Sequence, residues 1–249
     1  MADAVFEIPR LARIYDLLEA QRPDLDLYFA VVKEFRAESV LDIGCGTGTL
    51  ACLLAQHDVR VTGVDPAAAS LDVARGKPFS DRVRWVMGDA TIVPSMQVDL
   101  VTMTGNVAQV FLTDDSWSST LRASYGALRP GGRLVFEVRD PAKMGWAGWT
   151  RHRTYRRVDL PDIGIVEAWT ELTEVGLPLV AFRQHFVFAA DHATIVSDST
   201  LRFRNPSELS ESLVDAGFVV DDIRDAPDRP GSELVFIASR SDNPARREP

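Results

Sequence analysis

Three glycines, Gly44, Gly46 and Gly48, alternate with Cys45 and Thr47 directly after the apolar run Val40-Leu41-Asp42-Ile43. An apolar helical pattern (Leu50, Ala51, Leu53, Leu54) begins at once. A strand that ends in glycines and opens a helix offers bare backbone N–H groups to a ligand, and glycine lets that ligand come close. A dinucleotide loop wants the order G-x-G-x-x-G, but Thr49 stands where its third glycine belongs. Two more carboxylates end apolar runs. Asp65 closes Arg60-Val61-Thr62-Gly63-Val64, seventeen residues beyond Gly48, where an acid can accept both ribose hydroxyls. Asp89 sits in Gly88-Asp89-Ala90 after Arg82 to Met87, and could equally cap a following turn. Among bases, His152 and His185 are the weak catalytic candidates for deprotonating a hydroxyl, although a solvent-facing or structural role explains each. Glu137 and Arg139 end a further strand and point toward the same crevice, or form a surface ion pair.

These residues must be positioned by an α/β fold. Strands at 40–43, 60–65, 82–87, 98–103 and 133–138 alternate with helical patterns at 50–54, 67–75 and 116–128. That rhythm predicts a doubly wound, mostly parallel, Rossmann-like sheet. Asp114 or Asp115 is the expected cap of the 116–128 helix. The switch-point rule puts the loop Thr104-Gly105-Asn106 at the ligand crevice. Residues 1–36 read as N-terminal cap helices, broken at Pro23. The core spans 37–139 and resumes at 205–240, where Asn205 or Ser207 caps a helix and two strands close a seven-stranded sheet, the last antiparallel. Between them, 140–204 loses the βα rhythm. A Trp-rich loop precedes period-two runs at 154–158, 165–174, 180–190 and 194–203, the pattern of an inserted antiparallel meander. Residues 241–249 read as a disordered tail.

Composition bounds the partners. A formal charge of −9 argues against a protein living on nucleic-acid phosphates. No run approaches the roughly 20 apolar residues of a membrane span. The first residues lack the basic and apolar regions of a secretory signal. The two cysteines, Cys45 and Cys52, give no disulfide framework or metal spacing and read as small buried hydrophobes. A cytoplasmic location, no metal, no nucleic acid and no membrane are the expectations.

Taken together, Asp42 with the 44/46/48 glycines, Asp65-Pro66, Gly88-Asp89-Ala90 and Leu128-Arg129-Pro130-Gly131-Gly132 resemble, in order, the motifs of class I S-adenosylmethionine (AdoMet) methyltransferases. Ala12 to Asp16 is similar to the N-terminal cap helix of small-molecule members, whose Tyr closes over AdoMet. The resemblance implies AdoMet as cofactor, leaving as S-adenosylhomocysteine. It further implies contacts from Tyr15, from Asp42, Gly44, Cys45, Gly46 and Gly48, from Asp65 and Pro66, from Asp89 and Ala90, and from Thr104, Gly105 and Asn106. In that reading Asp65 holds the ribose and Asp89 the adenine amino group. The insertion, similar to those of glycine, sarcosine and sugar-amine N-methyltransferases, would form the acceptor pocket or a homodimer interface. The implied activity is methyl transfer to N or O of a small metabolite. A non-catalytic AdoMet-binding module, or another AdoMet-using transferase, is the alternative. The Asn/Asp-Pro-Pro-aromatic motif of base N-methyltransferases is absent after the fourth strand.

Overall fold

The computed structural model describes residues 2–19, 21–93 and 96–241. The expected tail at 241–249 therefore lies outside the described residues, apart from Ser241. Helices α1 (Ala4–Glu7), α2 (Pro9–Leu18) and α3 (Asp24–Glu34) precede the first strand, and Pro23 stands at the head of α3 as the break between them. Strand β1 (Ser39–Ile43), helix α4 (Thr49–Gln56), β2 (Arg60–Asp65), α5 (Ala68–Arg75), β3 (Val83–Met87) and β4 (Val98–Met103) follow. Helix α6 (Asp114–Ala127) then leads into β5 (Leu128–Arg139). After the second sheet, α8 (Pro206–Asp215), β10 (Phe218–Asp225) and β11 (Glu233–Arg240) complete the first one.

That sheet has seven strands in the order β10-β11-β5-β4-β1-β2-β3. Strands β1 to β5 are parallel, and β11 runs antiparallel to both β5 and β10. Strands β1 and β4 are neighbours, so the carboxyl-end crevice opens between Ile43 and Met103. Every residue of β1 is buried, as a strand covered on both faces must be. One core layer stacks Phe136 on Phe236 at 5.2 Å, with Trp117 edge-on to Phe136. The cap of α6 differs from expectation. Thr113, not Asp114 or Asp115, takes the Ser116 N–H at 3.1 Å, while Asp114 pairs with Arg202 at 2.8 Å. At α8, Asn205 is the cap, closed by a reciprocal bond from Glu208.

The meander forms a separate four-stranded antiparallel sheet, β6 (Arg156–Leu160), β7 (Gly164–Gly176), β8 (Leu179–Phe188) and β9 (Thr194–Arg202), in sequential order. A short helix, α7 (Arg151–Thr154), occupies the place where a strand was expected to begin at Thr154. Helices α1 and α2 lie between the two sheets. Val5, Leu11 and Ile14 pack with Val166, Ala168, Phe186 and Phe188 of the second sheet. Val5 N–H donates to Ser197 Oγ at 2.9 Å, and Ser70 Oγ of α5 donates to the Phe6 carbonyl at 2.9 Å. The N-terminal helices thus tie the meander to the parallel sheet.

Candidate functional site

The glycine loop at the end of β1 is less bare than its sequence suggests. Gly44 and Cys45 donate to the Val64 carbonyl, and Gly48 donates to the Cys45 carbonyl. Gly46 N–H donates to Asp65 Oδ2 at 2.7 Å. The expectation of free N–H groups is corrected for those four residues. For Gly44, Cys45 and Gly46 the physical reason is the close parallel pairing of β1 with β2, which brings acceptors to the loop, whereas Gly48 turns back on the loop's own Cys45 carbonyl. The glycines also divide by role. A Cβ on Gly44 would strike Val107 at 2.6 Å, and one on Gly48 would strike Trp85 at 2.4 Å, so both serve packing. Only Gly46, at φ +52°, opens onto free space.

Three carboxylates stand at or just past the carboxyl ends of β1, β2 and β3. Asp42 is 1% exposed; its Oδ1 accepts from Thr102 Oγ1 at 2.8 Å, and its Oδ2 has no partner. Burial pushes the Asp42 carboxyl up to about 7, against the Thr102 hydrogen bond. Asp65, also buried, accepts from Gly46 N–H and from Ala67 N–H at 2.8 Å; burial raises it and those two bonds oppose the rise. Asp89 is exposed, and its Oδ1 caps the following turn by accepting from Thr91 N–H at 2.8 Å. The Thr91 bonds hold Asp89 below its ordinary value. Cys45 is buried, with its thiol pushed up by burial.

Helix α2 closes over the loop through a residue that motif reading passed by. Asp16 accepts from Thr47 Oγ1 at 2.6 Å and pairs with Lys77 Nζ at 2.6 Å. Its neighbour Tyr15 packs on Phe6, ring centroids 5.3 Å apart. The signal for Asp16 lay in the same Ala12-Arg13-Ile14-Tyr15-Asp16 run. On the other side of the crevice, Thr104, Gly105 and Asn106 follow β4, with Asn106 buried at φ +63°. Asn106 Nδ2 donates to Glu233 at 3.4 Å, leaving its Oδ1 without a partner. Glu137 is 3% exposed, so the surface ion pair is corrected: this end of β5 sits beneath the 104–106 loop.

A cavity of about 400 Å³ lies between the two sheets. Tyr15, Gly105 and Asn106 line it from the core side. Trp149, from the loop before α7, and Phe182, Gln184 and Phe186 of the second sheet line it from the other side. Neither histidine candidate is among its lining residues. His152 is exposed on α7. His185 alternates with Gln184 and Phe186, so it faces the opposite side of β8, where it stacks on Trp169 at 4.6 Å and meets Glu171 at 3.0 Å.

Residues 40–132 match the family model described as a methyltransferase domain. The fold agrees: a sugar N-methyltransferase, KedS8, from Streptoalloteichus sp ATCC 53650 superposes with a TM-score of 0.76 at 19% identity, covering 97% of this chain and 96% of that one. In sequence over residues 40–132 and in fold over nearly its whole length, the chain resembles the class I S-adenosylmethionine-dependent methyltransferases. Among curated relatives, the cypemycin N-terminal methyltransferase of a Streptomyces species is 34% identical over 111 residues, 44% of this chain and 45% of that protein. A malonyl-[acyl-carrier protein] O-methyltransferase of Serratia marcescens is 26% identical over 84% of this chain and 75% of its own length. The chain spans about half the length of several curated relatives it matches. No helix among the described residues is long and apolar enough to cross a membrane.

AdoMet, the cofactor of this family, fits the residues present. Its cationic amino-acid head suits the partnerless Oδ2 of Asp42, and its ribose hydroxyls suit the spare lone pairs of Asp65. Gly46 leaves room for close approach.

Proposed function

We propose that this methyltransferase moves a methyl group from AdoMet to a nitrogen or oxygen of a small-molecule acceptor held beneath the β6–β9 sheet. The observation that carries this reading is the cavity, whose floor is the 104–106 loop at the switch point and whose roof is the aromatic inner face of the second sheet. When bound, AdoMet supplies an electrophilic methyl whose leaving thioether needs no proton. The chain's own task is then alignment and exclusion of water, and alignment alone is worth about 7–11 kcal/mol. We assign Asp65 to the ribose, Asp42 to the amino-acid head, Gly46 to close approach, Asp89 and Ala90 to the adenine, and Tyr15 to the cover. Residues 37–139 with 205–240 form the donor core in this scheme, 1–36 its cap, and 140–204 the acceptor side.

Nitrogen is favoured over oxygen. A neutral amine attacks without a prior base, whereas a hydroxyl needs one. The described lining residues of the cavity include two carboxylates, Asp3 and Glu19, but no histidine, and it is the likeness to KedS8, a sugar N-methyltransferase, that favours nitrogen. An acceptor that is neither nucleic acid nor membrane-bound accords with the charge of −9. The outer face of the second sheet, with Trp169 and the exposed Val196, is proposed as the homodimer contact, which sedimentation would test.

Calorimetry with AdoMet, S-adenosylhomocysteine and NAD tests the donor; NAD binding without AdoMet binding would overturn the proposal. Labelled AdoMet incubated with amines, phenols and sugars then tests transfer. Binding without any transfer would favour the non-catalytic module.

A further inference from the structure

Glu137, like Asp65 with Gly46, is a buried acid at the crevice whose side chain reaches across to another loop's backbone. Its Oε1 accepts from Gly105 N–H at 2.6 Å and from Asn106 N–H at 3.2 Å. Its Oε2 accepts from Tyr28 Oη at 3.0 Å, and the same hydroxyl lies 3.3 Å from the Met103 carbonyl. Tyr28 is itself fully buried on α3. The backbone is left-handed at both Gly105 (φ +69°) and Asn106 (φ +63°), which turns their two N–H groups onto the one Glu137 oxygen. A Cβ on Gly105 would meet no atom within 4 Å, so the side-chain direction of this residue is open. The loop facing the cavity is therefore shaped by this carboxyl and not by side-chain packing at Gly105.

We infer that Glu137 is a positioning residue that clamps the Gly105-Asn106 backbone at the floor of the cavity, in a geometry that does not depend on its charge. The inference rests on reading the 104–106 loop as the floor beside the transferred methyl. The charge independence follows from Tyr28. With Glu137 ionised, the Tyr28 hydroxyl donates to Oε2. With Glu137 protonated on Oε2, that proton is donated to Tyr28 Oη, and the Tyr28 hydroxyl turns to Met103 O. Oε1 remains an acceptor for both backbone N–H groups in either state. The surrounding charges bear on the balance from every side: Glu233 on β11 and Asp24 on α3 favour the protonated form, and Arg22, Arg139 and Arg229 favour the ionised one. A glutamine offers the same pattern, with its carbonyl toward the loop and its amide toward Tyr28.

Amide hydrogen exchange at Gly105 and Asn106, in the full chain without ligand, tests the clamp directly. Calorimetry with S-adenosylhomocysteine is the second measurement. Wild type and Glu137→Gln should protect both amides equally and bind S-adenosylhomocysteine within about threefold of each other. Glu137→Ala removes the acceptor of both N–H groups and strands the buried one at Asn106, so exchange there should accelerate by about 100-fold and affinity should fall by about 10-fold. Unchanged protection in Glu137→Ala overturns the clamp, and so does loss of protection in Glu137→Gln. If Glu137→Ala does not fold, Glu137→Gln decides alone: retained protection supports the clamp and lost protection overturns it. Failure of wild type to bind S-adenosylhomocysteine would sink the proposed function instead, leaving the exchange result to judge the clamp.

Discussion

The two sides of the cavity are built on different physics. On the core side, acids are buried at strand ends and held by fixed donors: Asp65 by the Gly46 and Ala67 backbone, Glu137 by the Gly105 and Asn106 backbone, and one oxygen of Asp42 by the Thr102 hydroxyl. On the inserted sheet, charges pair at the surface, as Arg183 does with Asp198, and the inner face is aromatic. Buried charges in fixed geometry recognise one ligand closely. A sheet face that changes with every second side chain can be retuned without disturbing its backbone bonds. The contrast suggests why the donor side can keep one ligand while the acceptor side varies.

The contrast can be broken most directly at Asp65. Asp65→Asn retains an acceptor for one loop N–H but loses the charge and one ribose acceptor. Charge-assisted bonds of this type are worth about 1.5–3 kcal/mol each, so calorimetry should show S-adenosylhomocysteine affinity down by about 100-fold. Asp65→Ala is a poorer test than the motif alone suggests, because it also strands Gly46 and Ala67. An affinity within threefold of wild type would mean the ribose is held elsewhere.

Trp149→Ala is the matching change on the acceptor side. Trp149 lies 4.7 Å from Phe182 and beneath the Arg139 guanidinium. Removing a half-buried tryptophan should lower stability by about 2–3 kcal/mol in urea titration, given about 3–5 for full burial, and leave S-adenosylhomocysteine affinity within threefold. Equal loss of donor affinity would show that the two sides are not separable.

Asp42 and Glu137 sharpen the comparison through pH. Both folded carboxyls are raised to about 7 by burial, above their ordinary values of 3.8 and 4.5. A raised acid binds more protons folded than unfolded, so its contribution is fully present below the unfolded value and is lost as pH rises through the folded one. Between pH 6 and 8, each should remove about 1 kcal/mol of stability. Urea unfolding of Asp42→Asn at both pH values should give a smaller drop than wild type. An equal drop would mean that Asp42 ionises normally in the folded chain.

The latch between α2 and the glycine loop should have a smaller effect. Asp16 and Lys77 are partly exposed, and such pairs contribute roughly 0–1 kcal/mol, so Asp16→Asn should weaken S-adenosylhomocysteine binding only about threefold. The smallest effect belongs to the histidines. His185→Ala and His152→Ala should each leave methyl transfer within about twofold, because neither side chain lines the cavity. A tenfold loss in either would require the insertion to rearrange around its substrate.

Much of the donor side was legible from the chain. Strand length, glycine turns and the acids at 42, 65 and 89 are local patterns, and local patterns survive in sequence because a few neighbouring residues produce them. So was the meander, through period-two alternation, although α7 replaced the expected start of its first strand. Less legible was the state of each group. Sequence suggested bare N–H groups in the loop, whereas β2 delivers Val64 O and Asp65 to Gly44, Cys45 and Gly46. Sequence could not separate a surface Glu137 from a buried one, because the 104–106 loop that covers it lies about thirty residues earlier. The same limit applies to Asp16, which meets Thr47 only after α2 folds back, and to His185, whose face is set by register with Trp169. By itself, then, the sequence determined the strand order's rhythm, the glycine turns and which acids end which strands, since these depend on neighbours in the chain. Which carboxyl is buried, which glycine is open and which face of the meander meets the cavity were decided by packing between distant segments, where desolvation and shape act and spacing does not.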